Sequence, residues 1–240
     1  MRIDILTIFP NLFDSFLQSP MLTRCVKRGD VRVNIIDIKQ YAGGSFRHID
    51  DSPFGGGAGM ILRAAPILAA MEQNGCFDGY KILLTPKGTP YAQTTARTLA
   101  GCDHIVLLCG HYEGIDHRVE KYFDAQVSIG DFVLTGGELA AQVITDSVVR
   151  LLPGAIRAGA ADDESFEEGL LEYPQYTQPA DLNGDTVPEV LRSGHRQKIN
   201  DWRRGQALRI TRQNRPDLFE KLDLTDRDLA LLQAAENDPV

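Results

Sequence analysis

Nowhere in these 240 residues does an apolar run approach the roughly 20 residues that a membrane helix needs. With no such span, and with a first segment that goes directly into a strand-like pattern, the expected compartment is the cytoplasm, with no membrane partner. Paired cysteines are also missing. Cys25, Cys76, Cys102 and Cys109 form no C-x-x-C, and three of them lie in or beside apolar segments, so they read as buried free thiols. Cys109, His111 and His117 lie close together but lack a fourth ligand at zinc spacing, so no metal site is assigned. Positive charge is in short supply, with 25 Lys and Arg against 33 Asp and Glu, a net of −8. That balance argues against sequence-blind nucleic-acid binding, which depends on many phosphate contacts, but it leaves room for a local basic face. The phosphate-cradling glycine motifs are absent too. The glycines at 55–59 do not fit G-x-x-x-x-G-K-[ST], and Met60 stands where the last glycine of G-x-G-x-x-G would fall. There is no internal repeat and no low-complexity segment.

What is present is a chain of ordinary hydrophobic content, 43%, long enough for a substantial core. Residues 105–109 are apolar without alternation, which predicts a strand covered on both faces. They run into Gly110-His-Tyr-Glu-Gly114, where two close glycines let main chain approach a ligand. Further strands are predicted at 1–9, 31–38, 81–85 and around 127. Helices are predicted after Pro10, at 64–71, 90–100 and 116–122, and, as a strong amphipathic pattern, at 138–152. Periodicity vanishes between 39 and 62, in a stretch long enough to suggest a binding loop. Alternating strands and helices predict an α/β domain with a mainly parallel sheet. Ligands of such sheets sit beyond the carboxyl ends of the strands, so the loops at 84–88, 110–114 and 129–137 are predicted to converge.

The composition then changes. Residues 158–191 hold nine acids and no Lys or Arg, whereas residues 192–215 hold eight basic residues against the single acid Asp201. This is the local basic face that the net charge conceals, and it suits nucleic-acid phosphates. A second, helical region begins there, with Trp202, Leu208, Leu218, Leu222 and Leu229 as its expected core. The boundary is expected between 158 and 179. These residues alone describe a glycine-lined pocket for a ligand without phosphates, S-adenosylmethionine being one such ligand, beside a basic helical region.

Four motifs in series carry a resemblance: Asp50-Asp-Ser-Pro-Phe-Gly-Gly-Gly-Ala-Gly-Met60, Cys109-Gly-His-Tyr-Glu-Gly-Ile-Asp116, Ser128-Ile-Gly-Asp-Phe-Val-Leu-Thr-Gly-Gly-Glu-Leu139 and Gly169-Leu-Leu-Glu-Tyr-Pro-Gln-Tyr-Thr177. Together with Leu191-Arg-Ser-Gly-His195 and Trp202-Arg203, the chain resembles the bacterial tRNA (guanine-N1)-methyltransferases of the TrmD type. The resemblance implies a SPOUT fold, a mainly parallel α/β sheet with a deep trefoil knot at its carboxyl end, followed by a small all-α C-terminal domain. Topology rules that disfavour knots point away from that fold. The implied boundaries are a methyltransferase domain over 1–160, a flexible acidic segment over 161–178 and a helical tRNA-binding domain over 179–240.

The implied reaction is methyl transfer from S-adenosylmethionine to N1 of the guanosine immediately 3′ of the anticodon. It would take place in a homodimer whose active site lies between subunits. By that resemblance the methyl donor is held by Leu84, Thr85, Pro86, Gly110, Tyr112, Glu113, Ser128, Ile129, Gly130, Asp131, Phe132, Val133, Leu134 and Gly136. The RNA meets Pro53, Phe54, Gly55, Ala58 and Gly59, with Arg192, His195 and Arg203 in the second region. Guanine N1 carries a proton at neutral pH, so a base must remove it, and the charge that develops on O6 calls for a fixed cation. Arg150 matches the family's arginine for that role. Glu164 stands at the position of the family's aspartate, with Asp163 as the second candidate base. Ala58 and Gln178 depart from the proline and arginine common at those positions. The resemblance also implies magnesium, although no magnesium cluster is legible. The alternatives are a SPOUT enzyme acting on another base or on ribose, and a noncatalytic RNA-binding module.

Overall fold

Five parallel strands organise the first part of the chain, and their side chains alternate between two separate cores. In the computed structural model, which describes residues 1–43, 48–157 and 164–237, contacts divide the chain into two units, Met1–Ile156 and Arg157–Val240. In the first, β1 (Arg2–Thr7), β2 (Arg32–Asp37), β3 (Tyr80–Pro90), β4 (His104–Cys109) and β5 (Ala125–Ser128) form one sheet in the order β2-β1-β4-β3-β5, every pair parallel. The longer helices are α1 (Pro20–Arg28), α2 (Ala64–Gln73), α3 (Gln93–Ala100) and α4 (Glu138–Val149). Residues 117–122, predicted helical, form a 3-10 helix. The aperiodic stretch closes on itself by pairing Asp50–Asp51 with Ile61–Leu62.

Strand period two explains the layers. In β4, Ile105, Leu107 and Cys109 face a core shared with Leu22 of α1, Leu99 of α3 and Ile144 of α4. Val106 and Leu108 face the other core, with Ile67 and Met71 of α2. All five side chains are buried, as the unbroken apolar run requires. One carboxylate of the sheet, that of Asp4, is fully buried. It accepts hydrogen bonds from Asn34 Nδ2 at 2.6 Å and pairs with His104 Nε2 at 2.9 Å and with Arg2 at 2.6 Å. Burial pushes the Asp4 carboxyl up, but Asn34, Arg2 and His104 outweigh it and hold the group below its ordinary value.

β3 is interrupted. Both Leu84 and Thr89 pair with Val127, so residues 85–88 leave the ladder as a loop at the carboxyl end of the sheet. A Cβ on Gly88 would stand 2.3 Å from the Val127 nitrogen, so the return to the strand requires glycine there.

The second unit is built on α5 (Arg196–Asn214) and α6 (Asp226–Asn237). Among its described residues it also has a small hairpin, Asp181–Leu182 with Asp185–Thr186, which turns through Asn183 and Gly184, and a stretch without regular structure at 170–180. Its core joins Leu170, Ala207, Leu208 and Leu232, with Tyr173, Phe219, Leu222 and Leu224 packed against them. Leu170 and Tyr173 lie in the segment read from the sequence as a connector. Of the expected core residues, Leu208 and Leu222 take part, Trp202 and Leu218 do not, and Leu229 is 51% exposed. The apolar residues at 229, 231 and 232 permit more than one helical phase. A Cβ at Gly205 of α5 would stand 2.7 Å from the Leu231 carbonyl, so α6 seats closely on that glycine with Leu232 and Ala235 turned inward. Among the described residues no helix is long and apolar enough to cross a membrane.

Candidate active site

The carboxyl ends of β3, β4 and β5 open into one cavity of about 360 Å³, bounded by residues of all three predicted loops. Every residue expected to hold the methyl donor lines it except Asp131, which points outward and is exposed. Lys87, His111, Gly114, Thr135 and Gly137, on the same walls, lie within the predicted loops but were not singled out as holding the donor, and Leu83, Ile115, Glu120, Val127 and Ala140 lie outside those loops altogether. Gly137 carried a legible signal, as the second glycine of a pair immediately before a helix.

The loops are tied to one another by main chain. Gly137 N donates to the Gly110 carbonyl at 2.8 Å, and His111 bridges to Gly136. A Cβ on Gly137 would lie 2.7 Å from the Cys109 Cα, so only glycine lets the start of α4 approach the end of β4 this closely. On the other side, Glu113 N donates to the Met60 carbonyl at 3.1 Å and Leu62 N to the Gly114 carbonyl at 3.0 Å. Ser128 Oγ donates to the Gly130 carbonyl at 2.9 Å, which shapes the third loop.

Side chains add a few fixed polar points. Glu138, the first residue of α4, is buried and accepts a hydrogen bond from Thr7 Oγ1 at 2.8 Å. Burial, and then the Glu138 charge, push the Cys109 thiol well above its ordinary value, so it stays protonated. The His111 ring lies 4.8 Å from Phe9, centroid to centroid, and its buried Nδ1 has no hydrogen-bond partner. His111 is therefore a packed wall residue with one polar atom in reserve for a ligand.

The loop expected to meet the RNA lies against the same cavity. A Cβ on Gly59 would stand 2.4 Å from Glu113 Cγ, so the 53–59 loop rests directly on a cavity residue. Burial, and then the Asp50 carboxylate, raise the Tyr112 phenol above its ordinary value, which places Asp50 beside the second loop. Phe54 is fully exposed at the tip. Gly59 thus meets a cavity residue, while none of Pro53, Phe54, Gly55, Ala58 and Gly59 lines the cavity itself.

The remaining expected residues lie elsewhere. Arg150 closes α4, its amide donating to the Asp146 carbonyl at 3.0 Å. Glu164 is half-buried in the second unit and lines a cavity of about 380 Å³ with Glu168, Glu172, Arg203 and Arg204. Asp163 lies outside the described residues. Arg192 and Arg203 line another cavity of the second unit. His195 caps α5, its Nδ1 accepting from Lys198 N at 3.4 Å, which gives it a structural task of its own.

The cavity at the strand ends carries few charges, which suits a ligand without phosphates. Leu84, Ile115, Ile129, Leu134 and Ala140 give it apolar walls, and its lining holds two carboxylates, Glu113 and Glu120, and one lysine, Lys87, whose charge acts on Glu120. A family model described as tRNA (Guanine-1)-methyltransferase TrmD matches residues 1–221. The chain belongs to this family. Its relatives include proteins called tRNA (guanine-N(1)-)-methyltransferase from Geobacillus kaustophilus (strain HTA426), 47% identical with 99% of each chain covered, and from Clostridium perfringens (strain 13 / Type A), 45% identical with 98% of this chain and all of the relative covered. A third, from Halalkalibacterium halodurans, is 45% identical and is covered over 97% of its length. The mainly parallel α/β sheet agrees with membership of the family. Among the described residues no group of three or more His, Cys, Asp or Glu could hold a metal ion, so no residue is assigned to magnesium.

Proposed function

We propose that this chain is a methyltransferase that uses S-adenosylmethionine to methylate N1 of the guanosine immediately 3′ of the anticodon in tRNA. The observation that carries the reading is the meeting of three glycine-bearing loops in one cavity, in a chain that matches the family over residues 1–221. When bound, S-adenosylmethionine supplies an electrophilic methyl group carried on a sulfonium. The residues that would hold it are those of the loops at 84–86, 110–113 and 128–136. Main-chain groups of these loops would hold its polar edges, and Glu113 would offer a carboxylate to its positive charge.

The protein's own part in the chemistry is to prepare guanine N1. A carboxylate, Glu164 or Asp163, takes the N1 proton and leaves a lone pair on nitrogen. The negative charge that builds on O6 is held by the Arg150 guanidinium, which stays protonated throughout. The 53–59 loop, beside Glu113, positions the base. Residues 1–160 form the methyltransferase domain and 179–240 the tRNA-binding domain, joined through 161–178. The trefoil knot, the homodimer and the cytoplasmic location belong to the same reading. Incubation with unmodified tRNA carrying guanosine after the anticodon and labelled S-adenosylmethionine, followed by nucleoside analysis, should yield 1-methylguanosine. A ribose-methylated or unmodified product from protein that binds the donor would overturn the reading.

A further inference from the structure

The segment that follows Glu164 is built into the fold of the helical unit. Leu170 is buried in that unit's core with Ala207, Leu208 and Leu232. Gly169 seats on Leu222, whose Cδ2 a Cβ would meet at 3.2 Å. Between Ser165 and Glu172 the chain closes a loop. Phe166 N donates to the Leu170 carbonyl at 2.7 Å, and Glu172 N donates to Ser165 Oγ at 3.0 Å. Three residues of the loop take positive φ, Phe166 at 73°, Glu168 at 46° and Gly169 at 75°. Two of the three carry a Cβ, so this conformation is imposed by its contacts rather than preferred by its residues.

One of those contacts comes from far along the chain. Thr211, fully buried on α5, donates its hydroxyl to the Ala207 carbonyl at 2.7 Å and accepts from Leu171 N at 2.8 Å. The first bond fixes the hydroxyl, which leaves its lone pairs for Leu171. Arg204 also reaches the loop, at 3.1 Å from Glu168, but that carboxylate is 80% exposed, and exposed pairs hold little. The buried Thr211 bond and the Ser165 closure are therefore the firmer supports. Glu164 stands immediately before the loop, half-buried, in the cavity whose charged lining also includes Glu168 and Glu172 of the loop and Arg203 and Arg204 of α5.

We infer that Thr211 and Ser165 are positioning residues for methyl transfer, which act through the 165–172 loop to fix the carboxylate that takes the guanine N1 proton. The inference rests on the reading that Glu164, or the preceding Asp163, is that base, and it deepens the reading by assigning the support of the base to the helical unit. A misplacement of about 1 Å can lower a rate about 10²-fold while the bound partners stay the same.

Thr211→Val keeps the shape of the side chain and removes the acceptor. In the full chain, single-turnover methylation of unmodified tRNA at neutral pH should fall about 10- to 10²-fold. Affinities for S-adenosylmethionine and for tRNA should stay close to those of the parent, and Thr211→Ser should restore the rate. Ser165→Ala, at a partly exposed position, should show the same split, and it decides the matter alone if Thr211→Val fails to fold. The pH profile separates positioning from folding. Raising the pH ionises guanine N1 without help, so a deficit caused by a misplaced base shrinks as the pH rises. A deficit that stays constant across pH marks a folding role and refutes the inference, as do folded variants that methylate at the parent's rate. If they do so while Glu164→Gln or Asp163→Asn abolishes methylation, the base stands and only its support is refuted. If neither carboxylate variant slows the reaction, the reading of the base fails and the inference fails with it.

Discussion

Replacing Gly137 with alanine tests whether the cavity depends on close approach of main chain. The added Cβ would lie 2.7 Å from Cys109 Cα and 3.1 Å from Gly110 N. Both are backbone atoms at the end of a strand buried on its two faces, so they cannot yield as a flexible side chain would. The start of α4 must move outward, and the 2.8 Å bond from Gly137 N to the Gly110 carbonyl must open. Overpacking of this kind costs about 1–3 kcal/mol and the lost hydrogen bond about 1 kcal/mol more. For a protein of this size, a loss of about 3 kcal/mol lowers the melting temperature by about 6–12 °C. Because the displaced segment is a cavity wall, the dissociation constant for S-adenosylmethionine should rise at least about tenfold, or 1.4 kcal/mol. Gly101→Ala is the control: its Cβ would meet only the Thr98 carbonyl, at 3.4 Å, and should change stability by less than about 0.5 kcal/mol. Thermal unfolding and calorimetry read both effects. A Gly137→Ala protein with unchanged melting temperature and donor affinity within twofold of the parent would refute the argument.

Other outcomes follow from the same structure. Glu164→Gln should reduce single-turnover methylation about 10²- to 10⁴-fold, the range for a general base. Near-normal turnover in that variant, with abolition in Asp163→Asn, reassigns the base to Asp163. Arg150→Ala should lower the methyl-transfer rate far more than donor affinity; equal losses count against its role at O6. Hydrogen bonds from Arg204, and then from Thr225, bring the Asp228 carboxyl down to about 2. A depressed folded value means that this stabilisation is present above the unfolded value of roughly 4 and is lost as pH falls through about 2. Asp228→Asn should therefore flatten the pH dependence of thermal stability between those limits. A variant whose stability still falls as steeply as the parent's across that window rules the contact out as its source.

The parts of the fold that were legible in the sequence are those dictated by local period. The run at 105–109 is unbroken because β4 is covered on both faces, and the glycine loops mark strand ends where backbone approaches backbone. Their convergence followed from the general habit of parallel sheets rather than from any one residue. Less legible were features set by distant partners. The strand's departure into the 84–88 loop was legible, but nothing within residues 81–90 announces that it rejoins the ladder at Thr89, because the shared partner, Val127, lies far along the chain. The phase of α6 was likewise hidden, since its apolar residues allow more than one face and Gly205 on another helix selects between them. The hairpin at 181–186 was within reach. Asn183 and Gly184 both adopt positive φ, 58° and 96°, the pair that an Asn-Gly turn favours.

The glycines at the start of α4, in the wall of the strand-end cavity, bear on inhibition. Where a pocket is shaped by side chains, an organism escapes an inhibitor by exchanging one of them. At Gly136 a Cβ would stand 2.3 Å from Glu138 Oε2 and at Gly137 2.7 Å from Cys109 Cα, so a side chain at either position collides with the protein itself before it reaches a ligand. A compound that presses on those two positions meets atoms that substitution cannot easily remove. Escape is then left to side chains elsewhere on the walls, among them the exposed Phe132 and Val133.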